Sequence, residues 1–225
     1  MKGLVLCSHG TRSALGAARV SGLVAAVAGA LPSADVREAH VDVHPPYVDD
    51  VLRATDVVVP LLLAPGYHVG TDIASAAERV GAFVTPALGP DELLTWMLAA
   101  RLGDLGRRDV VVLAAAGSSV PGSAHAVRRQ ALLLERRLGR TVHVAYGASS
   151  DPLLPDVVRR LRAEEPGRRV VAASYLLAPG HFHDRVLTSG VDAATAPLLD
   201  TERPDPLLVE LVVRRYLDVW LSDAV

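Results

Sequence analysis

The sequence predicts an α/β fold of two similar halves, each a mainly parallel sheet flanked by helices, facing one another across a cleft. Short apolar runs alternate with stretches of helical spacing along the whole chain. The apolar runs are continuous rather than alternating, as expected of strands covered on both faces. The order of elements, and several phrases with it, recurs after about 105 residues.

In the first half, Lys2–Cys7 reads as a buried strand ended by Ser-His-Gly, and Ala14–Leu31 as a helix stopped by Leu-Pro-Ser. Val36–Val43 reads as a strand, and Pro46 opens a short helix over Tyr47–Ala54. Asp56–Leu63 is a continuous apolar strand, in which Pro60 predicts an edge or a bulge. A loop over Ala64–Thr71, a helix from Asp72 to Val80, a strand at Ala82–Val84 and a helix over Pro90–Leu102 follow. The second half reads as a strand at Asp109–Ala116, a helix at Ser123–Leu138, a strand at Thr141–Ala145 and a helix at Pro152–Ala163. A strand at Arg169–Leu177, a short helix near His183–Thr188 and a closing helix at Asp205–Leu221 complete it.

The letters carry the repeat as well. LLLAPG at 61–66 matches YLLAPG at 175–180, an offset of 114 residues. Pro46 meets Pro152 at an offset of 106, and LCSHGTRS at 6–13 meets LAAAGSSV at 113–120 at an offset of 107. A Gly-, Arg- and Asp-rich linker near Arg101–Arg108 divides the chain into halves 1–104 and 105–225. Gly66 and Gly180 are expected at turns needing unusual backbone angles.

Composition narrows the function classes. The chain has 225 residues, half of them hydrophobic, and a net charge of −2, which gives no electrostatic case for nucleic acid or an anionic membrane. A single cysteine, Cys7, excludes an intramolecular disulfide and reads as an inert buried hydrophobe. The apolar start is too short for a signal peptide, and the most apolar internal stretch, Val57–Gly66, falls short of the about 20 residues of a spanning helix. A cytoplasmic protein is expected. No GxxxxGK[ST], GxGxxG or GxSxG motif is present.

Ligands of parallel α/β sheets bind beyond the carboxyl ends of the strands. Ser8-His9-Gly10-Thr11-Arg12 follows the first strand, Asp42 and His44 end the second, and Gly66-Tyr67-His68 follow the third. Three strands thus deliver His9, Asp42 and His68 to one edge. The second half keeps the frame and loses these groups: His9 corresponds to Ala116, Asp42 to Ala148 and His68 to Phe182. A duplicated enzyme with one working site has this one-sided pattern.

SHGTR after the first strand, VVVPLLLAPGYHVGTDI around the third, and ALGPDELL before a helix carry a resemblance. Over essentially its whole length the chain resembles the class II chelatases of the sirohydrochlorin cobaltochelatase and ferrochelatase family, in their long, internally duplicated form. The resemblance implies insertion of a divalent metal, Co²⁺, Fe²⁺ or Ni²⁺, into sirohydrochlorin or a related tetrapyrrole, with the metal as substrate and no tightly bound cofactor. It implies that His9 and His68 bind and deliver the metal. A glutamate usual on the second strand is replaced by Asp42, and His40 stands where an aromatic is common.

The chemistry is consistent with this resemblance. Neutral imidazoles hold borderline metals without locking them away, and few protein ligands leave coordination positions open for ring nitrogens. Imidazole or carboxylate accepts the pyrrole protons. Arg12 and the backbone N–H groups at Gly10, Thr11, Arg12 and Ser13, and at Gly117, Ser118 and Ser119, can receive substrate carboxylates at helix N-termini; Arg12 reads equally as the partner of a helix acid, and Asp42 also as a cap for the following helix.

Blander readings stand beside these. His40 and His44, and His181 and His183 with Asp184, read either as extra metal ligands or as solvated polar side chains. His125 and His143 read as structural, and Arg128, Arg129 and Glu135-Arg136-Arg137 as a solvated helix face. Tyr67 and Phe182 read as local packing or as contacts to a macrocycle. Two rival functions are a carrier that binds tetrapyrrole or metal without turnover, and a histidine phosphatase. The phosphatase opens on Arg-His-Gly, where this chain has Ser8 in place of the arginine. A monomer or a homodimer is expected.

Overall fold

The computed structural model describes residues 2–66 and 69–222, so the readings of Tyr67 and His68 lie outside the described residues. The first half runs β1 (Leu4–Ser8), α1 (Ala14–Ala30), β2 (Val36–His40), α2 (Val48–Val51), β3 (Val57–Pro60), a π-helical turn (Val69–Ile73), α3 (Ala74–Val80), β4 (Phe83–Val84) and α4 (Glu92–Leu102). The second runs β5 (Asp109–Ala115), α5 (Pro121–Leu138), β6 (Val142–Tyr146), α6 (Leu154–Glu164), β7 (Arg169–Tyr175), α7 (His181–Leu187), β8 (Ala193–Ala194) and α8 (Pro206–Ser222).

The strands form two four-stranded sheets, ordered β2-β1-β3-β4 and β6-β5-β7-β8, in which every pairing is parallel. Each sheet is buried on both faces. Leu4 and Leu6 of β1 point inward, and Val5 and Cys7 point outward. The inner faces of both sheets share one core with the helices between them, through Leu23 of α1, Met97 of α4, Leu134 of α5 and Leu211 of α8. The outer faces pack separately, Val5, Cys7 and Val58 against Ile73 and Ala76, and Val112, Ala114 and Ala172 against Leu154, Val158 and Leu161. The two halves are therefore fused through a common interior. Cys7 is fully buried on the outer face of β1, and burial pushes its thiol up to about 12, out of range of thiolate chemistry.

At the carboxyl ends of the strands the halves meet along a seam. The Tyr175 hydroxyl at the end of β7 donates to the Leu63 carbonyl after β3, at 2.6 Å. The β1–α1 loop abuts the β7–α7 loop: a Cβ added to Gly16 would lie 2.5 Å from the Pro179 carbonyl oxygen. Further inside, Asp91 caps α4 through the Leu93 N–H and pairs with Arg214 and Arg215 of α8, and Gln130 of α5 bonds to Asp91 and Thr95.

Several sequence expectations need correction. Pro60 is on an interior strand and ends it without a bulge. Val57 N–H and Leu61 N–H both point to β1 (onto Gly3 and Cys7 carbonyls), so the Pro60 nitrogen points the other way, beyond the end of β4 at Val84. No ladder bond is lost there. Strand β2 is regular only to His40; Val41 and Asp42 N–H still bond to the Ser8 and His9 carbonyls, and the chain turns away at Val43, at φ 73°. Helix α2 is one turn rather than the eight residues read from spacing. The loop expected over Ala64–Thr71 is already a π-helical turn from Val69. The two-residue strand β8 carries no periodicity to read. Arg101 belongs to α4 rather than to a linker, and it reaches across the halves to the Leu198 carbonyl and the Asp200 carboxylate. Gly66 has no left-handed backbone, whereas Gly180 has φ +153°.

Candidate metal centre at the strand ends

His9 is the first residue past β1 and is exposed at the carboxyl edge of the first sheet. Its backbone carbonyl accepts the Asp42 N–H at 3.1 Å, continuing the β1–β2 pairing one step past the strands. Directly after it, Gly10 adopts φ +93°, and a Cβ there would stand 2.2 Å from the Asp42 carbonyl oxygen. Only glycine lets the chain turn so close to the neighbouring strand and present His9 at the edge. Asp42 is exposed, and its Oδ1 accepts the Val43 N–H at 2.6 Å. That contact engages Oδ1, and Oδ2 has no hydrogen bond among the described residues.

Behind His9 lies a polar chain that sequence reading did not find. Buried Ser8 and His40 are register partners on β1 and β2, with Ser8 Oγ 2.8 Å from His40 Nδ1. Gly10 N–H donates to Ser8 Oγ at 3.2 Å. Nε2 in turn faces Glu38 Oε1 at 3.5 Å, and Ser21 donates to the same oxygen. His44 lies edge-on to the His40 ring, with centroids 4.1 Å apart. Burial, and then the neighbouring His44, lower the pKa of His40, so it stays a neutral hydrogen-bonding group. The usable sequence signal was a polar pair, Ser8 and His40, at the last positions of two adjacent strands.

The expected carboxylate-binding amides divide into two groups. Gly10 N–H is held by Ser8, Ser13 N–H by Thr11 Oγ1, and Ser118 N–H by Ser150 Oγ. Ser13 Oγ caps α1 through Gly16 N–H. The N–H groups of Thr11, Arg12, Gly117 and Ser119 carry no such bond among the described residues. Arg12 is exposed on the same loop.

The second half superimposes this frame without its chemistry. Ala148 N–H bonds to the Ala116 carbonyl as Asp42 does to His9, and Gly117 at φ +94° mirrors Gly10. Cis bonds at Pro45-Pro46 and Asp151-Pro152 also correspond. Tyr146 replaces His40 and Phe182 stands at the position of His68. His181 is exposed beside Phe182, and His183 is half-buried with no hydrogen-bond partner on Nε2. His125 is exposed on α5, and His143 lies on β6, its pKa lowered chiefly by burial. Arg128 and Arg129 are solvated as read, whereas Arg137 stacks on the Trp96 ring. Among the described residues no three His, Cys, Asp or Glu side chains gather as a metal cage. None of their helices is long and apolar enough to cross a membrane.

Comparison with known proteins agrees with this frame. SirB from Bacillus subtilis, solved with Fe³⁺, has 20% identity and a TM-score of 0.78 over 97% of this chain and 95% of its own. A CbiX described as the terminal enzyme for siroheme biosynthesis in denitrifying bacteria has 19% identity and a TM-score of 0.70, over 96% of this chain and 99% of its own. DR2241 from Deinococcus radiodurans, a multi-domain protein with similarity to chelatases, has 19% identity and a TM-score of 0.66 over 96% of this chain and 54% of its own. At these identities the likeness is one of fold. No curated protein matches the chain in sequence. The CbiX family model matches twice, over residues 3–105 and 110–219, one copy on each sheet with its helices. The chain therefore belongs to the CbiX family.

Proposed function

We propose that this chain is a metal chelatase that inserts a divalent metal, Co²⁺ or Fe²⁺, into sirohydrochlorin or a related tetrapyrrole, in siroheme or cobalamin biosynthesis. Its membership of the CbiX family supports the activity. The observation that carries the site is the one-sided edge. His9 and Asp42 are tied together by the Asp42 N–H on the His9 carbonyl, where the other half holds Ala116 and Ala148.

In this reading the metal is a substrate taken up by His9 and His68. Two imidazoles leave its other positions to water and then to the ring nitrogens. Each of two N–H bonds of the ring breaks as a metal–nitrogen bond forms. Asp42 accepts the proton on Oδ2 and releases it to solvent before the second transfer. Substrate carboxylates dock on Arg12 and on the N–H groups of Thr11 and Arg12, and of Gly117 and Ser119 across the seam. Residues 1–104 supply the working site, 105–225 the opposing wall. The protein works in the cytoplasm, as a monomer or a homodimer.

The test is absorbance of sirohydrochlorin mixed with the protein and Co²⁺, Fe²⁺ or Ni²⁺, against a protein-free control. Turnover above the spontaneous rate, lost in His9→Ala and His68→Ala with unfolding unchanged, is the expected result. A spectral change that stops at one equivalent would identify a carrier instead, and a near-normal rate in either variant would remove that histidine from the site.

A further inference from the structure

The second half has not simply lost a site. At the two positions that carry the polar groups of the first half, its strand-end edge is apolar. Ala116 and Ala148 replace His9 and Asp42, and Gly147 follows β6. Phe182, in the first turn of α7, crosses from the end of β7 to lie on Gly147. A Cβ added to Gly147 would stand 3.2 Å from Phe182 Cδ1, so the absence of a side chain there lets the ring settle on the strand ends. Even so, Phe182 remains 38% exposed, with the neighbouring His181 ring inclined at 62° to it and the centroids 5.5 Å apart. A phenyl ring packed on a glycine and more than a third exposed offers apolar surface to a flat partner.

Two exposed arginines lie on the segments around it, beside the exposed Asp184 of the same helix. Arg185 lies one turn further along α7, three residues on, and is exposed on that side of the helix. Arg12 is exposed on the loop that meets Gly180, where Ser13 Cβ and Thr11 Oγ1 lie 3.5 and 3.6 Å from an added Cβ. Neither arginine has an ion-pair partner among the described residues.

We infer that Phe182, on its Gly147 seat, is the residue on which the conjugated macrocycle stacks, with Arg185 and Arg12 receiving its peripheral carboxylates. The inference rests on the chelatase reading and deepens it, dividing the work between the halves: the first holds metal, the second holds the ring. A planar π-system with a carboxylate rim fits an aromatic face bordered by guanidinium groups, and neither a bare metal nor a neutral apolar ligand uses both.

The experiment is titration of metal-free sirohydrochlorin into wild type, Phe182→Ala, Phe182→Trp and Arg185→Ala, together with Co²⁺ titration of each protein. Phe182→Ala is expected to weaken sirohydrochlorin binding and raise its KM by roughly tenfold. Co²⁺ binding and thermal unfolding stay unchanged, Phe182→Trp keeps most of the affinity, and Arg185→Ala makes binding less sensitive to salt. If wild type binds and Phe182→Ala binds within twofold of it, the stacking role is overturned while the chelatase reading stands. If wild type shows no saturable binding, the chelatase reading falls and this one with it. A parallel loss of Co²⁺ binding in Phe182→Ala would make the residue structural and overturn its role on the ring.

Discussion

Gly10→Ala and its mirror Gly117→Ala form the sharpest test of the division between the halves. Both glycines sit just past the first strand of a half, at φ +93° and +94°. An L-residue held at such a φ is strained by about 1–3 kcal/mol. In addition, the new methyl would stand 2.2 Å from the Asp42 carbonyl oxygen in one case and 1.7 Å from that of Ala148 in the other. Relief of either contact moves the loop by about an ångström, since ordinary carbon–oxygen contacts exceed 3 Å. Both variants should therefore lose stability, on the order of 5 °C in Tm for a chain of this size. Their effects on function should diverge. Gly10→Ala shifts His9 against Asp42, and a misplacement of about an ångström costs about a hundredfold in turnover. Gly117→Ala shifts only Ala116 and the amides behind it, so it should raise the sirohydrochlorin KM several-fold and leave kcat and Co²⁺ binding near normal. Steady-state insertion kinetics beside thermal unfolding measures both. Equal loss of kcat in the two variants would refute the assignment of the working edge to the first half.

Other expectations follow from the interior. Tyr175→Phe removes the hydroxyl that serves the Leu63 carbonyl, leaves that acceptor buried and unpaired, and should cost about 1–3 kcal/mol in urea unfolding. Asp91→Ala removes a helix cap and the partner of Arg214 and Arg215 at once, and should cost about 2–4 kcal/mol, with one cooperative transition retained because the halves share a core. His40 and His143 both have folded pKa values below the ordinary value near 6.5. The unfolded chain therefore binds more protons below that pH. Their contribution is complete above pH about 6.5 and is lost as pH falls through and below it. His40→Phe combined with His143→Phe should flatten the fall in stability between pH 7 and 5, measured by urea midpoints; an unchanged slope would refute it.

Much of the architecture was legible because local chemistry and tertiary burial agree. Continuous runs such as Val57–Val59 and Val110–Ala114 announce strands buried on both faces, and that is their situation. The offsets 106 and 107 relate matching hydrogen bonds, Asp42 N–H on the His9 carbonyl and Ala148 N–H on the Ala116 carbonyl, and 114 relates the Leu62 and Leu176 carbonyls that accept from Leu88 and Leu198. What failed were features whose cause is not local. Pro60 reads as an edge residue until its nitrogen is seen to face the end of a short neighbour. Arg101 reads as linker until its partners 97 and 99 residues away are in view.

By itself the sequence determined the class of fold, the duplication, and the placement of His9 past the end of the first strand, because strand periodicity and a repeated order of elements are written in neighbouring residues; Asp42, read inside a strand over 36–43, lies past the end of β2 at His40. The tertiary structure alone decided that the halves share one core, that Ser8 and His40 form a buried pair behind His9, and that Phe182 packs on Gly147. Register between strands and the meeting of loops a hundred residues apart are set by packing of the whole chain, which no local pattern encodes.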